Sequence, residues 1–147
     1  MRVILSLGTK LLRGEPVAAF GHRIVPGGVR YDSPVRVTQG ILDDLTRLAP
    51  LAPLHQPHNL APIRTILNVA PQIPQVACFD TALHRRQSYL AQAFALPRRF
   101  ADAGVRRYGF HGLSYEFLVT RFGELAPTLA NARIVIASRQ WRQHVRD

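Results

Sequence analysis

Gln75-Val-Ala-Cys-Phe-Asp-Thr81 is the stretch that decides the fold class. Five residues free of charge, preceded by Pro74 and followed by a carboxylate and a hydroxyl, read as a short buried strand ending in a polar turn. Outward from it the same pattern recurs. Val17-Ala-Ala-Phe-Gly-His-Arg-Ile-Val25 is an apolar run that stops at Pro26-Gly-Gly28, and Arg133-Ile-Val-Ile-Ala137 reads as another buried strand. Between the first two, Thr38 is placed to cap a helix whose stripe is Ile41, Leu42, Leu45 and Leu48. Pro50, Pro53 and Pro57 break regularity around Leu54-His55, and Asn59 reads as the cap of a short helix through Ile63, Ile66 and Leu67. Further on, a helix over Tyr89 to Phe94 is stopped by Pro97. Tyr108-Gly-Phe-His-Gly112 is a glycine-punctuated loop, and Ser114 reads as the cap of a helix carrying Phe117, Leu118, Arg121 and Phe122. Strands alternating with helices make the class α/β, with its polar residues just past the strand ends, where such folds place ligands.

Composition narrows the function classes. The chain has 147 residues, 47% of them hydrophobic, which suits one domain or a piece of something larger and excludes an intrinsically disordered chain. No apolar run approaches the ~20 residues of a membrane span, and the opening residues lack a secretory pattern, so a cytoplasmic location is expected. The single cysteine, Cys78, excludes an intrachain disulfide and a multi-cysteine metal site; mid-strand, it reads as an inert core thiol. The formal charge of +10 rests on 18 Arg and one Lys, scattered in ones and twos with no long basic run. A GC-rich codon bias and solvated faces account for that pattern. The competing class is a non-catalytic, Arg-rich module binding anions or nucleic acid with steep salt dependence. Scattered arginines and the lack of aromatic stacking platforms argue against it.

Three polar residues stand out by position. Arg23 lies inside an apolar strand, where a guanidinium is either a structural ion-pair partner or a binder of carboxylate or phosphate. Asp80 directly follows a strand, as a catalytic carboxylate or a turn former would. His111, between Phe110 and Gly112, precedes a helix and is either an anion donor or a structural loop residue. His55 and His58 are three apart in a Pro-rich loop with no carboxylate between them, a poor metal pair. No phosphate loop of the Gly-Lys-Ser/Thr type, no G-x-G-x-x-G and no G-x-S-x-G elbow occurs.

Four blocks in order then carry a resemblance: Gly21-His-Arg-Ile-Val-Pro-Gly-Gly28, Leu51-Ala-Pro-Leu-His-Gln-Pro-His-Asn-Leu60, Pro74-Gln-Val-Ala-Cys-Phe-Asp-Thr-Ala-Leu-His84 and Arg106-Arg-Tyr-Gly-Phe-His-Gly-Leu-Ser114. Together they resemble the acetate kinase family, short-chain carboxylate kinases of the actin-like ATPase superfamily. The resemblance implies a partial actin-like, ribonuclease-H-like fold with incomplete sheets and flanking helices. It implies transfer of the ATP γ-phosphoryl to acetate or propionate, with Mg2+, giving acetyl phosphate and ADP, in a protein that is a homodimer when intact. By the same resemblance Asp80 and His111 are catalytic, Arg23 binds substrate, and Val25, Leu54, His55 and Phe110 line the acceptor site. Residues 1–81 correspond to the latter part of an N-terminal, acceptor-side domain, and residues 82–137 to the start of a nucleotide-side domain.

Departures from the family pattern set further expectations. Pro26, Leu113 and Tyr115 stand where the family has His, Thr and His. Family members are roughly three times longer, so the chain is expected to hold the acceptor half of a site without the ATP half. It retains no nucleotide or metal residues, and alone it is expected to be inactive. Ser138–Asp147 has no periodicity. Read one base out of frame with common GC-rich codons, residues 139–147 give Gly-Asn-Gly-Ala-Ser-Met-Cys-Ala, a glycine-rich phosphate loop. The tail is therefore expected to be a frameshift product. A third reading is a regulatory relative that binds acetate or acetyl phosphate without ATP.

Overall fold

Strands β1 (Phe20–Ile24), β2 (Val35–Arg36) and β3 (Gln75–Phe79) form one sheet in the order β1-β3-β2. A computed structural model describes residues 12–13 and 15–137 of the chain. β1 and β3 run parallel, from Phe20 opposite Gln75 to Ile24 opposite Phe79, while Val35 and Arg36 pair antiparallel with Ala77 and Val76. A parallel pair needs a long crossover. Helices α1 (Gln39–Arg47) and α2 (Gln56–Val69) supply it, with a 3₁₀ turn at Ala49–Leu51 between them.

α1 forms where the apolar stripe places it. Thr38 Oγ1 accepts from the Ile41 amide at 3.3 Å, and Leu42 and Leu45 are buried. α2 begins one turn earlier than an Asn59 cap would put it. Pro57 sits in its first turn, where a missing N–H costs nothing, and the Asn59 side chain is used elsewhere. Pro62 lies inside α2 and removes the bond to the His58 carbonyl. α2 packs on both β1 and α1, and the core gathers Ile24, Leu45, Leu60, Ile63 and Phe79, with Tyr31 stacked on Phe79 at 5.2 Å between ring centroids. Burial of that apolar surface is what holds the sheet to the helices.

Short helices follow: α3 (Ala82–Arg85), α4 (Tyr89–Gln92) and α5 (Arg98–Asp102), then α6 (Gly112–Leu125) and a 3₁₀ turn at Pro127–Leu129. α4 is a single turn rather than a helix to Phe94, capped by Ser88 accepting from the Ala91 amide. α6 begins at Gly112, two residues before Ser114, because the Gly112 amide already has an acceptor in the Asp80 carbonyl at 2.8 Å. The chain divides into two compact units at Ser114/Tyr115. Within the second, residues 133–137 form no strand. Val135 is 94% exposed, and no described residue pairs with this segment, so an apolar run alone does not make a ladder. From Tyr89 onward many large apolar side chains, Leu90, Phe117 and Leu125 among them, lie at the surface. The tail expected to be frameshifted, 138–147, lies outside the described residues. Among those residues no helix is long and apolar enough to cross a membrane.

Candidate functional site

The parallel pairing of β1 and β3 brings their C-terminal ends to the same edge of the sheet, and the chemistry collects there. Asp80 is the first residue past β3; its amide donates to the Ile24 carbonyl at 2.9 Å, which continues the ladder by one rung. Arg23 is the penultimate residue of β1. Its Nε donates to both carboxylate oxygens of Asp80, at 3.1 and 2.9 Å, and its Nη2 donates to Oδ2 at 2.6 Å. The burial is lopsided: the Asp80 side chain is 1% exposed, that of Arg23 58%. The expectation of a cation enclosed by apolar neighbours is thus corrected. Among the described residues β1 lies at the edge of the sheet, and it is the carboxylate that is enclosed and the guanidinium that faces outward. The hydrogen bonds to Asp80 push the Arg23 pKa further up, with burial opposing them. Asp80 holds the Nε edge of the fork, and among the described residues Nη1 makes no hydrogen bond. Arg23 is therefore a fixed cation with donors left for a ligand.

His111 completes the cluster. Its Nδ1 lies 3.4 Å from Arg23 Nη2. A guanidinium has only donors, so Nδ1 accepts there and Nε2 bears the ring proton. His111 holds a left-handed backbone, φ +60°, which a non-glycine residue adopts only when its surroundings impose it. Those surroundings are visible. The Gly112 amide is tied to the Asp80 carbonyl, and His84 Nε2 donates to the Phe110 carbonyl at 2.9 Å. A Cβ on Gly109 would overlap the His84 ring, and one on Gly112 would overlap the Asp80 carbonyl and come within 2.9 Å of Leu83 Cβ. Glycine at these two positions lets the loop lie against the strand end.

The remaining expected residues sit around this corner. Val25 is half-buried, and its amide donates to Asn59 Oδ1 at 3.4 Å, which ties the end of β1 to the first turns of α2. His55 immediately precedes α2 and is exposed; Leu54, beside it, is 81% exposed, and Phe110 is exposed too. The structure thus brings Arg23, Asp80 and His111 into direct contact. Leu54, His55 and Phe110 lie at the surface. Sequence reasoning gives no site role to Thr81, Asn59 and His84. Thr81 Oγ1 accepts from the Gly27 amide at 3.0 Å and pins the Pro26-Gly-Gly28 turn to the Asp80 corner. The signal for Thr81 and His84 was present, since both lie in the block that contains Asp80.

Comparison with known proteins shows the family. The sequence profile described as the Acetokinase family matches residues 6–137. Acetate kinase of Methylocella silvestris is 52% identical over 137 residues, covering 93% of this chain and 34% of the relative. Among solved structures, acetate kinase of Porphyromonas gingivalis superposes with a TM-score of 0.72 at 31% identity, over 86% of this chain and 34% of that one. A propionate kinase from Francisella tularensis gives 0.75 at 29% identity, over 84% and 33%. The chain spans about a third of the length of the relatives it matches. Its α/β architecture is part of the acetate-kinase, actin-like fold, with a three-stranded sheet and flanking helices.

Proposed function

The chain belongs to the acetokinase family, and from that premise we propose that it carries the acceptor side of a carboxylate kinase site. The reaction of the whole protein is transfer of the ATP γ-phosphoryl to acetate or propionate, giving an acyl phosphate and ADP. The observation that supports this is the Arg23–Asp80–His111 cluster at the C-terminal ends of β1 and β3. Phosphoryl transfer asks the protein mainly to position reactants and to place donors around the oxygens where charge develops. Arg23 offers its outward donors to the substrate carboxylate or the migrating phosphoryl group, and His111 offers Nε2–H to the same charge. Asp80 fixes the orientation of Arg23. Val25, Leu54, His55 and Phe110 flank the substrate's short alkyl end. Residues 1–81 belong to the acceptor-side domain, residues 82–137 open the nucleotide-side domain, and the whole protein is a homodimer.

Mg2+ does not fit the described residues. They hold no group of three or more His, Cys, Asp or Glu side chains placed to bind a metal, and the Asp80 carboxylate is engaged by three guanidinium contacts.

The test is a chimera in which residues 15–137 replace the matching third of the Methylocella silvestris enzyme. Acetyl phosphate is trapped as its hydroxamate. The chimera is expected to turn over acetate, and Arg23→Met to lower kcat about a hundredfold or more, as loss of a transition-state donor does. A folded chimera without activity, or one indifferent to Arg23→Met, would refute the proposal.

A further inference from the structure

We propose a second anion site in this chain, in the cavity between α3–α4 and the Ala101–Arg106 segment, that takes a compact oxyanion of the phosphate or phosphomonoester class. The cavity has a volume of about 290 Å3 and is lined by Arg85, Tyr89, Gln92, Ala93, Val105 and Arg106, with Ala101. Two arginines line it, and no Asp or Glu is among the lining residues. The Nε of Arg85 and the Nε of Arg106 are both buried with no hydrogen-bond acceptor among the described residues. An arginine cannot shed its charge, and a buried donor without an acceptor is unfavourable, so such a pair is complementary to a ligand that brings oxygens.

The frame around Arg85 is set in advance. Arg85 Nη1 donates to Gln92 Oε1 at 3.2 Å and Nη2 to the Val29 carbonyl at 3.3 Å. Gln92 is itself held, its Nε2 donating to the Arg85 and Gln87 carbonyls at 3.2 and 2.6 Å. The Arg107 amide donates to the Gln92 carbonyl at 2.9 Å, which joins the segment bearing Arg106 to α4. A halide offers a single point of contact, whereas a tetrahedral oxyanion presents several oxygens and can accept from two N–H donors at once. Tyr89, largely exposed, leaves the cavity open on one side, where the organic part of a phosphomonoester can leave. This site shares no residue with the Arg23 cluster and does not depend on the acceptor reading.

The experiment is calorimetric titration of the 147-residue chain with inorganic phosphate, and separately with methyl phosphate, in chloride buffer, with circular dichroism confirming the fold of each variant. Saturable phosphate binding is expected, retained in Arg23→Met and weakened at least about tenfold in Arg106→Gln. Ala93→Glu, which puts a carboxylate into the cavity at a half-buried surface position, decides the matter should Arg106→Gln not fold; it too is expected to weaken binding about tenfold. Methyl phosphate binding as tightly as phosphate assigns the site to esters, and weaker binding assigns it to the free ion; both support an oxyanion site. Absence of saturable binding, or binding unchanged in Ala93→Glu, overturns the proposal. Binding lost only in Arg23→Met also overturns it and moves the anion to the acceptor cluster. An inactive chimera with phosphate still bound here would count against the acceptor reading alone.

Discussion

Changing either member of the Arg23–Asp80 pair disrupts the same set of hydrogen bonds, yet the two changes are expected to differ in cost, because the pair is buried on one side only. When both charges are enclosed, loss of one partner costs about 3–5 kcal/mol, most of it from the charge left behind. Arg23→Met leaves the Asp80 carboxylate, 1% exposed, without any of its observed donors. That places the cost near the lower end, about 3 kcal/mol. Asp80→Asn leaves instead a guanidinium already 58% exposed, which water can solvate with little rearrangement, so the cost falls to about 1 kcal/mol, in the range of an ordinary hydrogen bond. The double variant places no charge against a missing partner, and a coupling energy of about 2 kcal/mol is expected from the cycle. Urea denaturation of the chain at pH 7, followed by far-UV circular dichroism, measures all three. Asp80→Asn costing as much as Arg23→Met, or a coupling below about 0.5 kcal/mol, would show that the enclosed carboxylate does not govern this corner.

Three further outcomes follow from the same structure. Gly112→Ala drives a Cβ into the Asp80 carbonyl and Leu83, so a loss of about 1–3 kcal/mol is expected by denaturation, with reduced turnover in the chimera; an unchanged midpoint would contradict the close approach. Burial lowers the His22 pKa below its ordinary 6.5, an effect only partly offset by its hydrogen bond to Gln75. As pH falls through about 6.5 the unfolded chain binds a proton that the folded chain refuses, so stability drops until the folded-state pKa is reached and then levels off. His22→Gln should remove that drop, seen as a wild-type-minus-variant difference that grows more negative from pH 8 to pH 5.5; a flat difference would refute it. Thr38→Ala removes the α1 cap and should cost about 0.5 kcal/mol, the low end for caps given the 3.3 Å bond, read from the same unfolding curves.

How much was legible in the sequence depends on whether local or tertiary partners decide. β1, β3 and α1 lie where short apolar runs, turn residues and the Thr38 cap put them, since those signals are local. The start of α6 was misplaced because its first amide is satisfied by Asp80, thirty-odd residues away, and not by the Ser114 side chain. The Arg133–Ala137 run was misread because strand formation needs a neighbour, which no sequence window contains. Arg23, Asp80 and His111 were legible as candidates by position. What positioned them, the Thr81 hydroxyl on the Gly27 amide and the His84 ring on the Phe110 carbonyl, was not, because each is a contact between distant segments.

The lopsided burial also bears on what Asp80 would contribute to the proposed acceptor site. An exposed arginine would lose much rotamer freedom on gripping an anion, weakening the grip accordingly. A carboxylate enclosed at the adjacent strand end and bonded to Nε and Nη2 restricts that freedom beforehand. The same carbonyl corner holds Gly112 and thereby His111 in its left-handed conformation. One residue thus orients both donors, through its side chain toward Arg23 and through its backbone toward His111. An Asn at position 80 keeps the backbone bond and loses only the charge-assisted clamp, so His111 should stay in place while Arg23 loosens.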